Sequence, residues 1–333
     1  MPTLAVVIPS FQREAGILAR ALGCVFDQTG LDGVGLEVVV DDDESPADVG
    51  AELELVGAER AARVRVVRQK NSGPGGARNT GLDNLTPGTR YVAFLDSDDL
   101  WSEDHLARAV GALERGFDLY CANWTPDHDS RDAYSLWNRV NIDDHEPLDP
   151  DSTIFSYRGR FIRQELLGPI ARLSTMVYRY DAFPDVRFDP GLRNASEDRL
   201  FRLVIASRNP RVCFSTKVES TTGSGVNIFA GAEAGTARML DIVNNQTTFA
   251  KRVASDFPLT DDERAIARHM IAQRRRSFAY HYLLHVQDTR RLHLGRLARH
   301  IRLDPGAIFV IPSVLWDYVR KRGRPVSATG GAS

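Results

Sequence analysis

The sequence predicts an α/β fold, a doubly wound and mainly parallel sheet followed by a helical C-terminal extension. Three observations predict it. Over the first hundred residues, short apolar runs rich in β-formers alternate with helical patterns of roughly 10–15 residues, as in parallel βαβ units. The run Tyr91-Val-Ala-Phe-Leu95 ends abruptly in Asp96, Asp98 and Asp99. Carboxylates clustered at a strand's C-terminal end lie where open α/β sheets bind ligands. After about residue 232 the strand-like runs cease and helical patterns take over.

The elements follow in order. Leu4–Pro9 reads as a strand. Glu14–Gln28 reads as a helix with Ile17, Leu18, Ala21, Leu22, Val25 and Phe26 on one side. Leu36–Val40 is a second strand, Ala47–Ala62 a helix, Val64–Val67 a third strand, Ala77–Leu85 a short helix and Tyr91–Leu95 a fourth strand. Asp104–Arg115 then predicts a helix and Asp118–Trp124 a strand. Residues 125–152 are polar and rich in Asp, Asn and Pro, and read as one long surface loop. Leu173–Tyr178 and Val212–Val218 are later strands, with a helix starting near Ser196 between them. The expected segments are 1–103, 104–231, a helical 232–326 and a disordered tail 327–333 rich in Gly, Ala and Ser.

Composition narrows the classes. The chain has 333 residues, 43% hydrophobic and 26% charged, which fits a soluble globular protein. The net charge of −2 gives no overall pull toward nucleic acid. No signal peptide is expected, because Met1-Pro-Thr-Leu leads straight into a strand, and no apolar stretch approaches the roughly 18 residues of a membrane span. Cys24, Cys121 and Cys213 are far apart and odd in number, as expected of reduced, buried thiols in a cytoplasmic protein. Neither a CxxC pair nor a His/Cys cluster argues for zinc.

In a parallel sheet the ends of the first four strands share one edge, and four polar segments then line one crevice. They are Ile8-Pro-Ser-Phe-Gln-Arg13, Val40-Asp-Asp-Asp-Glu-Ser-Pro46, Gln69-Lys-Asn-Ser-Gly-Pro-Gly-Gly-Ala-Arg-Asn-Thr-Gly-Leu82 and Asp96-Ser-Asp-Asp99. A carboxylate after the second strand can accept from a nucleotide base N–H. Glycines let a backbone approach a ligand closely, and the helix they open favours an anion at its N-terminus. Arg78 offers a cationic fork for a phosphate. The oxygen-only cluster of Asp96, Asp98 and Asp99 suits a hard cation, Mn²⁺ or Mg²⁺, and that ion suits a diphosphate.

Together these segments resemble the inverting family 2 glycosyltransferases of the GT-A fold, whose motifs run approximately V-V-I-P-T-Y-N-R, V-D-D-G-S, N-x-G-x-x-x-A-R-N-x-G and L-D-x-D-D. The resemblance covers residues 4–100 strongly and extends weakly to about 230. It implies a Rossmann-like nucleotide-binding half, an acceptor half, and a donor site made of Pro9, Ser10, Phe11, Arg13, Asp42, Asp43, Asn71, Gly73, Arg78, Asp96 and Ser97. Asp98, with Asp96, would hold the metal. A gapless register makes Asp43 the counterpart of the uracil-contacting acid, whereas a shift by one residue gives Asp41 and Asp42 instead. Phe11-Gln12 replaces the usual Tyr-Asn. The family's catalytic base sits in a Glu-Asp pair at a helix start, which Asn194-Ala-Ser-Glu-Asp-Arg-Leu-Phe201 matches. Asp198 is then the base, Glu197 orients or binds the acceptor, and Ser196 caps the helix. The segment Val218–Phe229 lacks the His that many family members carry near the diphosphate, though Gly223-Ser-Gly225 could wrap a ligand through backbone amides. Trp101 is read as core ahead of a sugar platform.

The implied activity is transfer of a sugar from a nucleoside diphosphate, UDP first, to a hydroxyl of a glycan or lipid-linked acceptor in surface polysaccharide or glycoconjugate assembly. Nucleotidyltransferases and nicotinamide dehydrogenases would need a Gly-rich turn where Pro9–Arg13 stands. A non-catalytic sugar-nucleotide-binding or scaffold protein is the alternative, and the acids at 96, 98 and 198 argue against it. The markedly basic stretch Arg264–Arg324, interrupted by apolar Ile308–Ile311 and Val314–Trp316, leaves three uses open: contact with the inner face of a membrane, a homodimer, or packing.

Overall fold

The computed structural model describes residues 3–126, 131–150, 152–193, 195–223 and 231–321. The chain forms two compact units, Met1–Arg193 with Glu197–Asn227, and Asn194–Ser196 with Ile228–Ser333.

The first unit is built on one sheet. Its elements are β1 (Thr3–Ser10), α1 (Ile17–Phe26), β2 (Gly35–Asp42), α2 (Val49–Val56), α3 (Ala58–Ala61), β3 (Val64–Arg68), α4 (Gly73–Asp83), β4 (Thr89–Phe94) and β5 (Leu100–Trp101). They continue with α5 (His105–Glu114), β6 (Leu119–Thr125), α6 (Ala133–Trp137), β7 (Glu146–Pro147), β8 (Ile154–Ser156), α7 (Phe161–Leu167), β9 (Met176–Arg179), α8 (Glu197–Ser207) and β10 (Val212–Thr221). The sheet order is β3-β2-β1-β4-β9-β6-β10-β8-β7, with β5 against β10. β3, β2, β1 and β4 run parallel, and β10 is parallel to β6. β9 is antiparallel to both neighbours, β4 and β6. Leu4 to Ile8 are inaccessible on both faces of β1, as expected of a strand covered on each side.

Several elements depart from the sequence reading. The helix expected over Ala47–Ala62 is two helices, because Gly57 between them stands at φ 92°. The helix expected from Ala77 already begins at Gly73, so the glycines form its first turn and do not precede it. Close packing accounts for this. A Cβ at Gly75 would lie 3.2 Å from the Phe188 Cβ and 3.3 Å from the Glu197 Cγ, and one at Gly81 would collide with Asp41 and Val7. The supposed loop over 125–152 contains α6, a 3₁₀ turn at Ile142–Asp144 and β7. Ala133 and Tyr134 are buried there, and the Tyr134 ring meets Trp124 and Phe214 edge-on. Trp101 is core, 7% exposed, with its indole N–H donating to the Ser174 carbonyl at 2.5 Å. A buried hub joins α5, β6 and β10, where the inaccessible Glu219 carboxylate accepts from Arg108 Nε at 2.7 Å and Tyr120 OH at 2.7 Å and lies 2.8 Å from His105 Nδ1.

The second unit is helical, with α9 (Ala237–Asp256), α10 (Asp261–Thr289), α11 (Leu294–Leu303) and α12 (Ala307–Lys321). Thr236 caps α9 by accepting from Met239 N, and Thr260 with Glu263 forms a capping box at α10. Leu240, Val243, Phe278 and Tyr282 form its core, and the His300 ring stacks flat on Phe278 with centroids 3.4 Å apart. Buried Asp304 takes the Arg275 fork at 2.6 and 2.9 Å. None of the described helices is long and apolar enough to cross a membrane. The tail 327–333, Asn194, Arg322 and the Ser224-Gly225 part of the expected ligand-wrapping loop lie outside the described residues.

Candidate active site

The parallel register of β1 and β2 sets Pro9 beside Asp41 and Ser10 beside Asp42, so the first two motifs end together. Asp42 turns the chain by accepting from Ser45 N at 2.9 Å, and it lies 3.6 Å from Arg68 Nε. Glu44 follows at φ 66°, in the left-handed region that favours glycine. The gapless register places the family's glycine at this position.

Asp43 reaches across to α4. It accepts from Ser72 N at 2.7 Å, Gly73 N at 2.8 Å and Gln69 Nε2 at 2.6 Å. These amides at the start of α4, expected to face a ligand's anion, are therefore held by the chain's own carboxylate. Asn71 Nδ2 donates to the Asp43 carbonyl at 2.9 Å, and Arg193 clasps Asn71 through its carbonyl at 2.7 Å. Gln12, which the sequence marks only as a departure from Asn, links three motifs. Its backbone N–H donates to Ser45 Oγ at 3.1 Å and its side chain to Ser97 Oγ at 2.5 Å. Ser10 is buried beside it, while Arg13 is exposed with its guanidinium 5.9 Å from the Phe11 ring.

Asp41 is different. It is inaccessible, neither oxygen has a hydrogen-bond partner, and burial with the nearby Asp43 charge pushes its carboxyl up to about 8. It packs beneath Gly81 of α4 and beside Val7.

Arg78 is the centre of the arrangement. The residue is 4% exposed, and its guanidinium donates to Asp96 Oδ1 at 2.5 Å, lies 3.7 Å from Glu197 Oε1 and faces the Phe188 ring at 5.3 Å. A single cation thus bridges the carboxylates that follow β4 to those that open α8. The Asp96 backbone N–H donates to the Ser174 hydroxyl oxygen at 3.1 Å. Asp98 is partly exposed, and a Cβ at Gly223 would collide with its carbonyl, which places Gly223 against this turn. Asp99 is inaccessible, 3.4 Å from Arg172 Nη2, and burial pushes it up to about 7 against the Arg172 charge. Arg172 also holds Thr222 through its hydroxyl.

Glu197 and Asp198 occupy the first turn of α8 as expected, but Ser196 stands at φ 71° and lacks the extended geometry of an ordinary capping residue. The two acids face different partners. Glu197 is buried against Arg78, and burial together with the Asp198 charge raises it to about 7 despite that cation. Asp198 keeps 37% of its side chain exposed and accepts from Arg202 Nη1 at 3.0 Å. Desolvation alone would raise it, but the Arg202 charge and hydrogen bond outweigh that and hold it below the usual carboxylate range. Arg202 is in turn braced by buried Glu165 at 3.1 Å. Neither Arg202 nor Glu165 stands out in the sequence, since a buried ion pair carries no local pattern.

The set offers an ionised, partly exposed carboxylate beside a buried cation, with further carboxylates at a strand end. Among the described residues no three His, Cys, Asp or Glu side chains converge closely enough to hold a metal ion by themselves. Mg²⁺-type sites commonly use one or two carboxylates and complete the shell with substrate phosphates and water. Asp98 and Asp96 fit that donor set.

Residues 5–183 match the sequence family described as Glycosyl transferase family 2. The chain is 38% identical over 236 residues to the succinoglycan biosynthesis protein ExoW of Rhizobium meliloti (strain 1021), covering 69% of this chain and 71% of that protein. It is 33% identical over 116 residues to the amylovoran biosynthesis glycosyltransferase AmsB of Erwinia amylovora, covering 34% and 36%. Among solved structures, the mannosyltransferase PcManGT from Pyrobaculum calidifontis, in complex with GDP-Man and Mn²⁺, aligns with a TM-score of 0.58 at 17% identity, covering 96% of this chain and 86% of that one. TarS 1–349 of S. aureus in complex with UDP-GlcNAc aligns with a TM-score of 0.55 at 17% identity, covering 96% and 88%. At such identities these structures share the fold.

Proposed function

The chain belongs to glycosyltransferase family 2 and has the GT-A fold, and on that premise we propose that it transfers a sugar from UDP to an acceptor hydroxyl with inversion, in polysaccharide or glycoconjugate assembly. The observation that carries the reading is the buried Arg78 guanidinium between Asp96 and Glu197. It joins a donor-side acid to an acceptor-side acid in one site.

The chemistry follows from the partners each group has. Asp198 takes the proton of the acceptor hydroxyl as the oxygen attacks the anomeric carbon. The carbon–oxygen bond to the diphosphate breaks on the opposite face, and the nucleoside diphosphate departs. Asp198 suits this step because it is exposed enough to meet an acceptor and is ionised at neutral pH. Glu197 is too buried to meet an acceptor freely, and holds the start of α8 against Arg78. Arg78 offers positive charge to the leaving diphosphate. Asp98 and Asp96 would hold Mn²⁺ or Mg²⁺, which when bound would supply further charge to offset that of the diphosphate. On the base side, Pro9, Ser10, Phe11, Asp42 and Asp43 would receive the uracil, and an Asp43 carboxylate accepting from its N–H would share that role with the α4 amides it already holds. ExoW and AmsB are named for polysaccharide synthesis, which supports a glycan or lipid-linked acceptor.

A thermal-shift panel of nucleotide sugars with Mn²⁺ identifies the donor, because a ligand that binds only the native state raises the melting temperature. NMR of the first-formed product then tests the mechanism. A product that retains the donor's anomeric configuration refutes the single displacement and the base role of Asp198.

A further inference from the structure

The helical unit carries an exposed apolar surface. α12 turns Ala307 and Val314 inward, at 0% and 6% exposure. Its outer side is apolar. With 3.6 residues per turn, Leu315, Ile308, Val319, Pro312, Trp316 and Phe309 fall in that order within an arc of about 120°. Phe309 is 85% exposed, Trp316 64% and Val319 57%. Single exposed apolar residues need no account, but a contiguous arc with two large aromatics does.

Charge borders this arc. Arg320 lies at its edge with the guanidinium 6.0 Å from the Trp316 ring, and the sequence continues Lys321-Arg322-Gly323-Arg324. From Arg264 to Arg324 the sequence has fourteen Lys and Arg against three Asp and Glu, in a chain of net charge −2. Two of those acids, Asp304 and Asp317, are paired with Arg275 and Arg276. A second copy of the chain seated on the same arc would bring like charges together, since a two-fold contact uses the same patch twice. An anionic lipid surface complements both features, taking the aromatics at headgroup depth and the arginines at the phosphates.

We propose that the outer face of α12 is a docking surface for an anionic bilayer, on which the helix lies in the interface plane. Its 15 residues span only about 22 Å against a hydrocarbon core of about 30 Å, so it cannot cross. Pro312 sits on the same face and cannot donate to the Ile308 carbonyl. That carbonyl finds water at headgroup depth and would find none in the hydrocarbon core. The surface would hold the enzyme beside acceptors presented at a membrane.

Flotation of the full chain with phosphatidylcholine vesicles, with and without phosphatidylglycerol, tests this. Binding is expected only to the anionic vesicles, strongest at low salt. The double substitution Phe309→Ser, Trp316→Ser is expected to lower partitioning about tenfold or more at an unchanged melting temperature. Failure to float with either vesicle, or flotation that the substitutions leave intact, overturns the proposal. So does a dimer in solution that the same substitutions dissociate, which would assign the arc to a second copy. The readout is binding, so its failure leaves the transferase reading untouched.

Discussion

Replacing Asp41 by Val is expected to stabilise the protein, and increasingly so as pH rises. Asp41 is inaccessible, accepts no hydrogen bond, and has its carboxyl pushed from 3.8 to about 8. The native chain therefore keeps a proton that the unfolded chain releases near pH 4. Stability contributed by this site falls as pH rises from about 4 to about 8 and is level above that, where both states are ionised. Each pH unit crossed costs about 1.4 kcal/mol, a ceiling of roughly 5–6 kcal/mol for the whole window. Val is apolar and small enough for the site, though one bond shorter than Asp and branched at Cβ; it removes the titration and forfeits no hydrogen-bond partner. A gain of about 2–4 kcal/mol at pH 8 is the expectation, with about half of it appearing between pH 6 and pH 8. Urea unfolding between pH 6 and pH 9 measures it. A Trp316→Phe background leaves Trp101, Trp124 and Trp137 as reporters, all in the unit that contains Asp41. A variant less stable than its parent, or a difference that stays constant across pH, would refute the argument and require a partner for the Asp41 carboxylate.

Three further outcomes are expected. Asp98→Asn should abolish the Mn²⁺-dependent thermal shift given by UDP, and a shift equal to that of wild type would remove Asp98 from metal binding. Asp198→Asn should keep donor affinity and lose roughly 10²–10⁴-fold in transfer; a loss under about threefold would move the test to Glu197→Gln. Arg202→Leu should cost about 3–5 kcal/mol in urea unfolding by stranding the buried Glu165 carboxylate, and adding Glu165→Leu should recover most of it. A single variant as stable as wild type would mean that Glu165 is neutral in the fold.

The parallel half of the sheet was legible because its strands are apolar runs ending in turn residues, and each needs only local pattern to be seen. The place of β9 was not. Met176–Arg179 reads as a strand, but nothing local says that it inserts antiparallel between β4 and β6. Gly73 to Gly76 look like a turn because glycine weakens helices, and tertiary contact with Phe188 and Glu197 overrides that preference. Among the site residues, Arg78, Asp96, Glu197 and Asp198 were visible as pieces of ordered motifs, and the structure brings them to one edge. Gln12, Glu165, Arg172 and Arg202 were not. Their role depends on burial and on partners far away in sequence, whereas an isolated charge in a sequence looks the same whether solvated or buried.

The position of β10 has a consequence for how the chain is made. The sheet does not fill in the order of synthesis: β10, at residues 212–221, lies between β6 and β8, which precede it by tens of residues. Until it emerges from the ribosome, β6 presents an open edge next to the middle of the sheet, and Tyr120 lacks the Glu219 carboxylate that receives its hydroxyl. Such an edge is a template for pairing with another chain. A fragment that stops at residue 183, where the family match ends, would leave that edge exposed permanently and would aggregate. A fragment of the catalytic unit worth expressing runs past β10 to Asn227, which keeps Thr222 on Arg172 and Gly223 against the Asp98 turn.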